Sequence, residues 1–209
     1  MITVSLNSAR TLPDTLNSVQ AQTTPVEHVL VDGGSTDGSR DMLERYSAPG
    51  KRTVCEPDRG LYDALNKGIQ LADGKIVGAL HADDFFADRH VAQDVISAFS
   101  DPLVDGVYGD LAYVDQNHKD KIVRLWQAGD YSPKKLYAGW MPPHPTFFVR
   151  RECYEKYGLY RLDLGTAADY ELMLRFLLVH GLRLKYIPRV LVKMRVGGAS
   201  NASLRARLR

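Results

Sequence analysis

The chain has 209 residues, 44% of them apolar and 25% charged, with a formal net charge of +2; this suffices for one well-buried core and is short for two independent domains. Its first fifteen residues hold no basic start followed by an apolar run, and no apolar stretch approaches the roughly 18 residues of a membrane span, so the expectation is a chain neither exported nor membrane-spanning, working in the cytoplasm. Cys55 and Cys153 lie far apart without metal-ligand spacing and read as reduced thiols.

Along the chain, short β-rich runs alternate with helix-period runs through the first hundred residues, which predicts a parallel sheet with crossover helices. Strands are expected at 2–6, 26–31, 52–55 and 75–80, and helices at 13–22, 37–46, 61–72 and 90–99. The third helix is the clearest. Leu61, Ala64, Leu65, Gly68, Ile69 and Ala72 fall on one face, Asp58 is available as a cap and Gly74 stops the run. Strands at 106–114 and 122–126 follow, then a proline-rich loop at 141–145 and a strand at 146–149. A helix at 169–180 ended by Gly181, and strands at 183–187 and 190–194, close the pattern. No Gly/Ser-rich or Pro-rich linker separates the halves, so 101–209 is expected to build onto the same sheet as 1–100, giving a single α/β domain.

Charge is uneven. Residues 1–100 carry 9 basic and 14 acidic side chains, residues 101–209 carry 18 and 11, and no carboxylate follows Glu171. That basic stretch suits phosphates of a ligand or of an anionic membrane, or is a solvated face. Residues 203–209 read as the opening of a basic amphipathic helix cut short, which suggests a longer native chain with peripheral contact to anionic lipid.

In an open parallel sheet, ligands bind beyond the carboxyl ends of the strands. Asn7-Ser8 follows the first predicted strand, Asp32-Gly33-Gly34-Ser35-Thr36-Asp37-Gly38 the second, and His81-Ala82-Asp83-Asp84 the fourth. Alone, the first two also read as turns and caps. The adjacent carboxylates of Asp83 and Asp84 repel each other unless a cation or hydrogen bonds compensate, and a hard divalent ion is the natural compensator.

Together with Val4-Ser5-Leu6-Asn7 and Glu56-Pro57-Asp58-Arg59-Gly60-Leu61-Tyr62-Asp63-Ala64-Leu65-Asn66-Lys67-Gly68, these motifs resemble, in order and over nearly the whole chain, the family-2 glycosyltransferases of GT-A fold. The chain is similar in particular to bacterial members that build exopolysaccharide and lipopolysaccharide repeat units, which share Pro143-His144-Pro145-Thr146-Phe147-Phe148 and Ala168-Asp169-Tyr170. The resemblance implies a Rossmann-like GT-A domain with a mostly parallel central sheet flanked by helices. Its first hundred residues would bind a nucleoside-diphosphate sugar, and residues 101–209 would bind a glycan or lipid-linked acceptor. It implies Asp32 at the base of the nucleotide, Asp83 at the ribose or metal, Asp84 on Mn2+ or Mg2+, and Asp169 as the general base of an inverting transfer, with Glu171 as fallback. The base and cap readings of Asp169 both stand at this point, since an aspartate near a helix start is also a good N-cap.

Two departures from the family pattern matter. Gly33 stands where many members have a second aspartate, which leaves the nucleotide base open, and His81 stands where relatives often carry another aspartate, which shifts the metal toward Asp84 and the diphosphate. Asn7, Arg59, His144 and Arg195 are further candidates for donor contacts, Arg195 on a loop made mobile by Gly197 and Gly198. Trp126, Trp140 and Tyr62 are candidates to stack on sugars or to fill the core. Three other readings compete. A haloacid-dehalogenase-like phosphatase would use Asp32 as nucleophile but lacks the second aspartate two residues on. A dinucleotide oxidoreductase would need G-x-G-x-x-G where the chain reads Asn7-Ser8-Ala9-Arg10-Thr11-Leu12. A non-catalytic nucleotide-sugar-binding module has no need of both Asp84 and Asp169.

Overall fold

The alternating runs of the first eighty residues fold as four short parallel strands. In the computed structural model, which describes residues 1–197, β1 (Ile2–Ser5), β2 (Val29–Asp32) and β3 (Arg52–Cys55) pair in parallel, with Ile2 opposite Val29 and Val29 opposite Arg52. β4 (Ile76–Gly78) extends the sheet on the other side of β1: Ile2 bridges Ala79 in parallel, and the Leu80 and Ala82 amides donate to the Ile2 and Val4 carbonyls. Parallel neighbours need crossovers, supplied by α1 (Leu12–Gln20), α2 (Ser39–Arg45) and α3 (Leu61–Leu71).

The apolar face read for α3 is the one it buries. Ala64, Leu65 and Ile69 are inaccessible to solvent in the same cluster as Ile2, Val4 and Val29, and each fully buried Leu or Ile contributes about 1.5–3 kcal/mol. Gly68 sets how close the helix lies, because a Cβ there would stand 2.4 Å from Ile2 Cγ2.

The second half joins the same sheet. After β5 (Phe85–Phe86) and α4 (Val91–Ala98) come β6 (Gly106–Val114) and its antiparallel hairpin partner β7 (Ile122–Trp126), then α5 (Pro133–Tyr137), β8 (Phe148–Arg150), α6 (Arg151–Tyr157), α7 (Ala168–Leu174) and β9 (Leu184–Arg195). β8 lies antiparallel between β4 and β6, while β9 runs parallel to β6 and antiparallel to β5, so the order is β4-β8-β6-β9-β5. The sheet is parallel through its first half and mixed beyond. One buried cluster contains Val4 and Val31 from the first half and Phe147, Leu172 and Phe176 from the second, so the α/β fold is a single compact domain.

Some local expectations change. The two strands expected at 183–187 and 190–194 are one strand, β9, whose register jumps from Ile187 opposite Gly109 to Val190 opposite Asp110; Pro188, with no N–H to give, sits in the resulting bulge. The helix expected at 169–180 begins at Ala168 and ends in a wider turn over Arg175–Val179. β5, α5 and α6 were not expected. Among the described residues no helix is long and apolar enough to cross a membrane. The basic run at 203–209 lies outside the described residues, as does Gly198.

Candidate active site

The strand ends gather their polar loops around a cleft of about 510 Å³, lined by Leu6, Asn7, Asp58, His81, Asp83, Asp84, Arg195 and neighbouring residues. Its wall is laced by hydrogen bonds between the loops after β1 and β2. The Asn7 side-chain oxygen accepts from the Thr36 amide at 2.9 Å, the Asn7 amide donates to the Ser35 hydroxyl at 2.8 Å, and the Ala9 amide donates to Asp37 at 2.9 Å. Asn7 holds φ of +49°, a left-handed conformation that asparagine tolerates better than most residues.

Asp32 organises this loop from beneath. It is 0% exposed; Oδ2 accepts from the Ser5 and Ser35 hydroxyls at 2.7 and 2.6 Å, and Oδ1 accepts from the Gly34 and Ser35 amides at 3.1 and 2.8 Å. A carboxylate so occupied is no nucleophile, which removes the phosphatase reading. Gly33 leaves space that Asp58 uses: a Cβ on Gly33 would stand 2.4 Å from Asp58 Oδ2. A carboxylate from the loop after β3 thus occupies the room beside Asp32.

The floor of the cleft is the turn His81–Asp84, closed by the Asp84 amide donating to the His81 carbonyl at 3.0 Å. Three other elements pin it. The Ala82 amide donates to the Val4 carbonyl, the buried Thr15 hydroxyl of α1 donates to the Asp84 carbonyl at 2.7 Å, and Arg195 Nη1 donates to the Asp83 carbonyl at 2.8 Å. Thus held, one ligand-capable atom from each of His81, Asp83 and Asp84 falls within 4.8 Å of the others.

Asp84 is 1% exposed and neither of its oxygens makes a hydrogen bond of normal length and angle among the described residues, although the Arg195 amide lies near enough to favour the charged form. Burial, reinforced by the charge of Asp83, pushes its carboxyl well above the usual carboxylate range, with Arg195 opposing. Buried polar atoms without partners are rare. Two orphaned carboxylate oxygens beside a second carboxylate and an imidazole make a donor set that fits a divalent cation.

Arg195 is the last residue of β9, not part of a mobile glycine loop. It is 6% exposed, pairs with Asp14 of α1, and lies over the Phe85 ring at 5.0 Å. Arg59 is less central: it is exposed at the rim and pairs with Asp63 at 3.1 Å.

From the second half, Asp169 comes near enough to His81 for each to influence the other's charge. Ala167, not Asp169, is the N-cap of α7, and Asp169 stands in the first turn of the helix. Its Oδ1 accepts from the Tyr170 amide at 2.7 Å, and the Tyr62 hydroxyl of α3 also faces the carboxylate. Burial raises its pKa, opposed by these hydrogen bonds and by His81. Glu171 is engaged elsewhere, with Arg175 at 2.8 Å.

His144 packs between these groups. Its ring centroid lies 5.9 Å from that of His81, its Nε2 shares a hydrogen bond of 2.8 Å with the Tyr160 hydroxyl, and burial drives its pKa down to about 3. Trp140 belongs to the core, donating to the Ala128 carbonyl at 3.0 Å and packing on Tyr108 and Tyr131. Sequence reasoning missed Thr15, Asp14 and Tyr62 as supports of the site's carboxylates and turn. Only tertiary packing brings α1 and α3 to them.

Residues 1–158 match the family model for Glycosyl transferase family 2. Among curated proteins, the chain is 34% identical over 182 residues to an uncharacterized glycosyltransferase of Mycobacterium tuberculosis, spanning 86% of this chain and 68% of that protein. It is 31% identical over 207 residues to a PGL/p-HBAD biosynthesis glycosyltransferase of Mycobacterium bovis, spanning 96% of this chain and 78% of the relative. Among solved structures, a mannosyltransferase from Pyrobaculum calidifontis in complex with GDP-Man and Mn2+ superposes with a TM-score of 0.73 at 22% identity, over 99% of this chain and 59% of that one. S. aureus TarS in complex with UDP-GlcNAc superposes with a TM-score of 0.74 at 16% identity, over 97% and 59%. The chain therefore spans 59% of the length of these two GT-A structures.

Proposed function

The chain belongs to glycosyl transferase family 2, and from that premise we propose that it transfers a sugar from a nucleoside-diphosphate donor to an acceptor hydroxyl with inversion at the anomeric carbon. The observation that carries this reading is the orphaned Asp84 carboxylate in the His81–Asp84 turn together with a partly buried Asp169 from the second half that feels the His81 of the same turn. The acceptor is a glycan or lipid-linked glycan of a cell-surface polysaccharide. The similarity to a PGL/p-HBAD biosynthesis glycosyltransferase supports a biosynthetic acceptor of this class. Two unpaired thiols, Cys55 and Cys153, support work in a reducing, cytoplasmic compartment.

Asp84, with Asp83, would hold a divalent ion, Mn2+ or Mg2+, which supplies charge neutralisation to the departing diphosphate when bound. The remaining work belongs to the chain. Asn7 and the loop shaped by Asp32 form the wall for the nucleotide, with Asp58 beside it and Arg59 at its rim. Arg195 keeps the turn aimed and adds positive charge at the cleft. Asp169 takes the proton from the acceptor hydroxyl through the carboxylate oxygen not held by Tyr170, as the acceptor oxygen bonds to the anomeric carbon on the face opposite the breaking sugar–phosphate bond. Burial raises its basicity toward working pH. The products are the glycosylated acceptor and the nucleoside diphosphate.

A thermal-shift panel of nucleoside diphosphates and their sugars, each with Mn2+ and with chelator, tests the donor half, because a ligand of the native state raises its apparent stability. Stabilisation by at least one nucleotide, lost with chelator, is expected. A panel in which no nucleotide or nucleotide sugar shifts the melting temperature sinks the proposal.

A further inference from the structure

We propose that His81 supplies a nitrogen ligand to the divalent ion at the His81–Asp84 turn, making this a mixed nitrogen–oxygen site that selects a first-row transition ion such as Mn2+ or Co2+ over Mg2+. The inference rests on the metal-assisted reading above and adds to it the identity of one ligand and the class of ion.

The geometry leads there from three directions. The first is distance: ligand atoms of His81, Asp83 and Asp84 lie within 4.8 Å of one another. Three ligands at about 2.0–2.2 Å from one ion stand roughly 3.0–3.7 Å from one another, a spacing that side-chain rotation on the held turn can reach. The second is hydrogen-bond accounting. His81 Nε2 is shielded from solvent and, like both Asp84 oxygens, has no partner among the described residues. The neighbouring imidazole of His144 makes no hydrogen bond to it and has its own Nε2 engaged by the Tyr160 hydroxyl. The third is rigidity. Thr15, Arg195 and the Val4 carbonyl hold the backbone of the turn from three separate elements, so the three side chains converge without an ion to gather them.

The donor set then decides the ion. Mg2+ demands oxygen and a near-ideal octahedron at short distance, whereas an imidazole nitrogen favours first-row transition ions, most strongly those past Mn2+ in a series whose affinities rise from Mn2+ to Co2+. A carboxylate in place of the imidazole would give an all-oxygen site; His81 makes it otherwise.

Pulsed electron paramagnetic resonance on the full chain with Mn2+ alone reads the ligand directly, because a coordinated imidazole nitrogen couples to the electron spin while a nucleotide held through its phosphates is not yet present. One directly bound nitrogen is expected in the wild-type chain, absent in His81→Gln and retained in His144→Gln. By calorimetry, the preference for Mn2+ over Mg2+ should fall about tenfold or more in His81→Asp, in the range that ligand-shell changes produce. Mn2+ that binds and is lost in Asp84→Asn, yet shows no nitrogen coupling in the wild-type chain, overturns the inference while leaving the metal reading intact. Coupling that survives His81→Gln and vanishes in His144→Gln overturns it equally. No Mn2+ binding at all, with or without a nucleoside diphosphate, removes both. The wild-type spectrum decides even if His81→Gln fails to fold.

Discussion

Asp84→Asn should make the metal-free protein more stable while abolishing its response to metal, a combination that an ordinary surface aspartate cannot produce. The carboxylate is 1% exposed, has no hydrogen-bond partner for either oxygen among the described residues, and stands against the charge of Asp83. An unsatisfied buried polar group costs about 1–3 kcal/mol, more when charged. Asparagine keeps the shape but cannot ionise, so it escapes the cost of burying or protonating the carboxylate, and a gain of about 1–3 kcal/mol is expected, or about 2–12 °C in melting temperature at the roughly 2–4 °C per kcal/mol typical of a chain this size. Metal should distinguish the two proteins. At an Mn2+ concentration about a hundredfold above its dissociation constant, the wild-type chain gains about 2.7 kcal/mol, and the variant gains nothing. Differential scanning calorimetry with Mn2+ and with chelator measures all four states. A variant less stable than wild type in chelator, or one that keeps the Mn2+ shift, would refute the claim that this carboxylate is a buried ligand awaiting a cation.

Other consequences follow from single residues. Asp169→Asn should lower transfer by about 10²–10⁴-fold with donor affinity within a few-fold, measured by product formation and calorimetry; transfer near the wild-type rate would dismiss it as the base. Glu171→Gln, which loosens only Arg175, should leave transfer near wild type and cost about 1 kcal/mol in stability. Arg195→Leu frees the Asp83 carbonyl and should weaken Mn2+ binding about 10- to 100-fold, visible by calorimetry. Gly68→Ala should destabilise by about 1–3 kcal/mol through overpacking against Ile2, despite the better helix former, and a stabilised variant in urea titration would contradict the close approach of α3 to β1. His28 is buried with its pKa lowered to about 3, chiefly by desolvation. The unfolded chain therefore binds a proton near 6.5 that the folded chain refuses, so His28 lowers stability progressively as pH falls from about 6.5 toward 3. His28→Gln should flatten that limb of a stability–pH curve, and an unchanged limb would count against the buried neutral ring.

The early strands and helices were legible because each carries its own signal over enough residues. The expected helix at 61–72 and the observed Leu61–Leu71 agree since the apolar face repeats through three turns. α5 and α6 span 5 and 7 residues and are rich in lysine, arginine and glutamate, too short for a period to stand out. β5 is two phenylalanines that become a strand only because β9 lies beside them. Pro188 reads as a break, and its bulge conceals that β9 is continuous. At the site, the paired aspartates were visible as chemistry, whereas the joining of His81 to them depends on a turn whose shape α1, β1 and β9 impose. The satisfied state of Asp32 was equally hidden, because two of its four donors, Gly34 and Ser35, are local amides but Ser5 comes from another strand.

The uneven charge of the chain acquires a structural meaning from the pairs it forms. The basic stretch after Glu171 reads in sequence as a surface for phosphates, yet Arg175, Arg189 and Arg195 are already engaged: Arg175 with Glu171, Arg189 with Asp88 and Asp94, Arg195 with Asp14. Asp14 also receives Lys119 from the turn between β6 and β7 at 2.7 Å. Most of these pairs join an acid of the first half to a base of the second. Exposed pairs contribute little individually, at about 0–1 kcal/mol, so their combined value lies more in register than in stability. Arg189 fixes the bulge of β9 against α4, and Arg195 fixes the end of β9 against α1 and the metal-facing turn. The strand that carries the second half onto the sheet is thereby locked to the loop that carries Asp83 and Asp84. Any shift of β9 must move the Arg195 guanidinium away from the Asp83 carbonyl, so docking of the two halves and aim of the turn are one event.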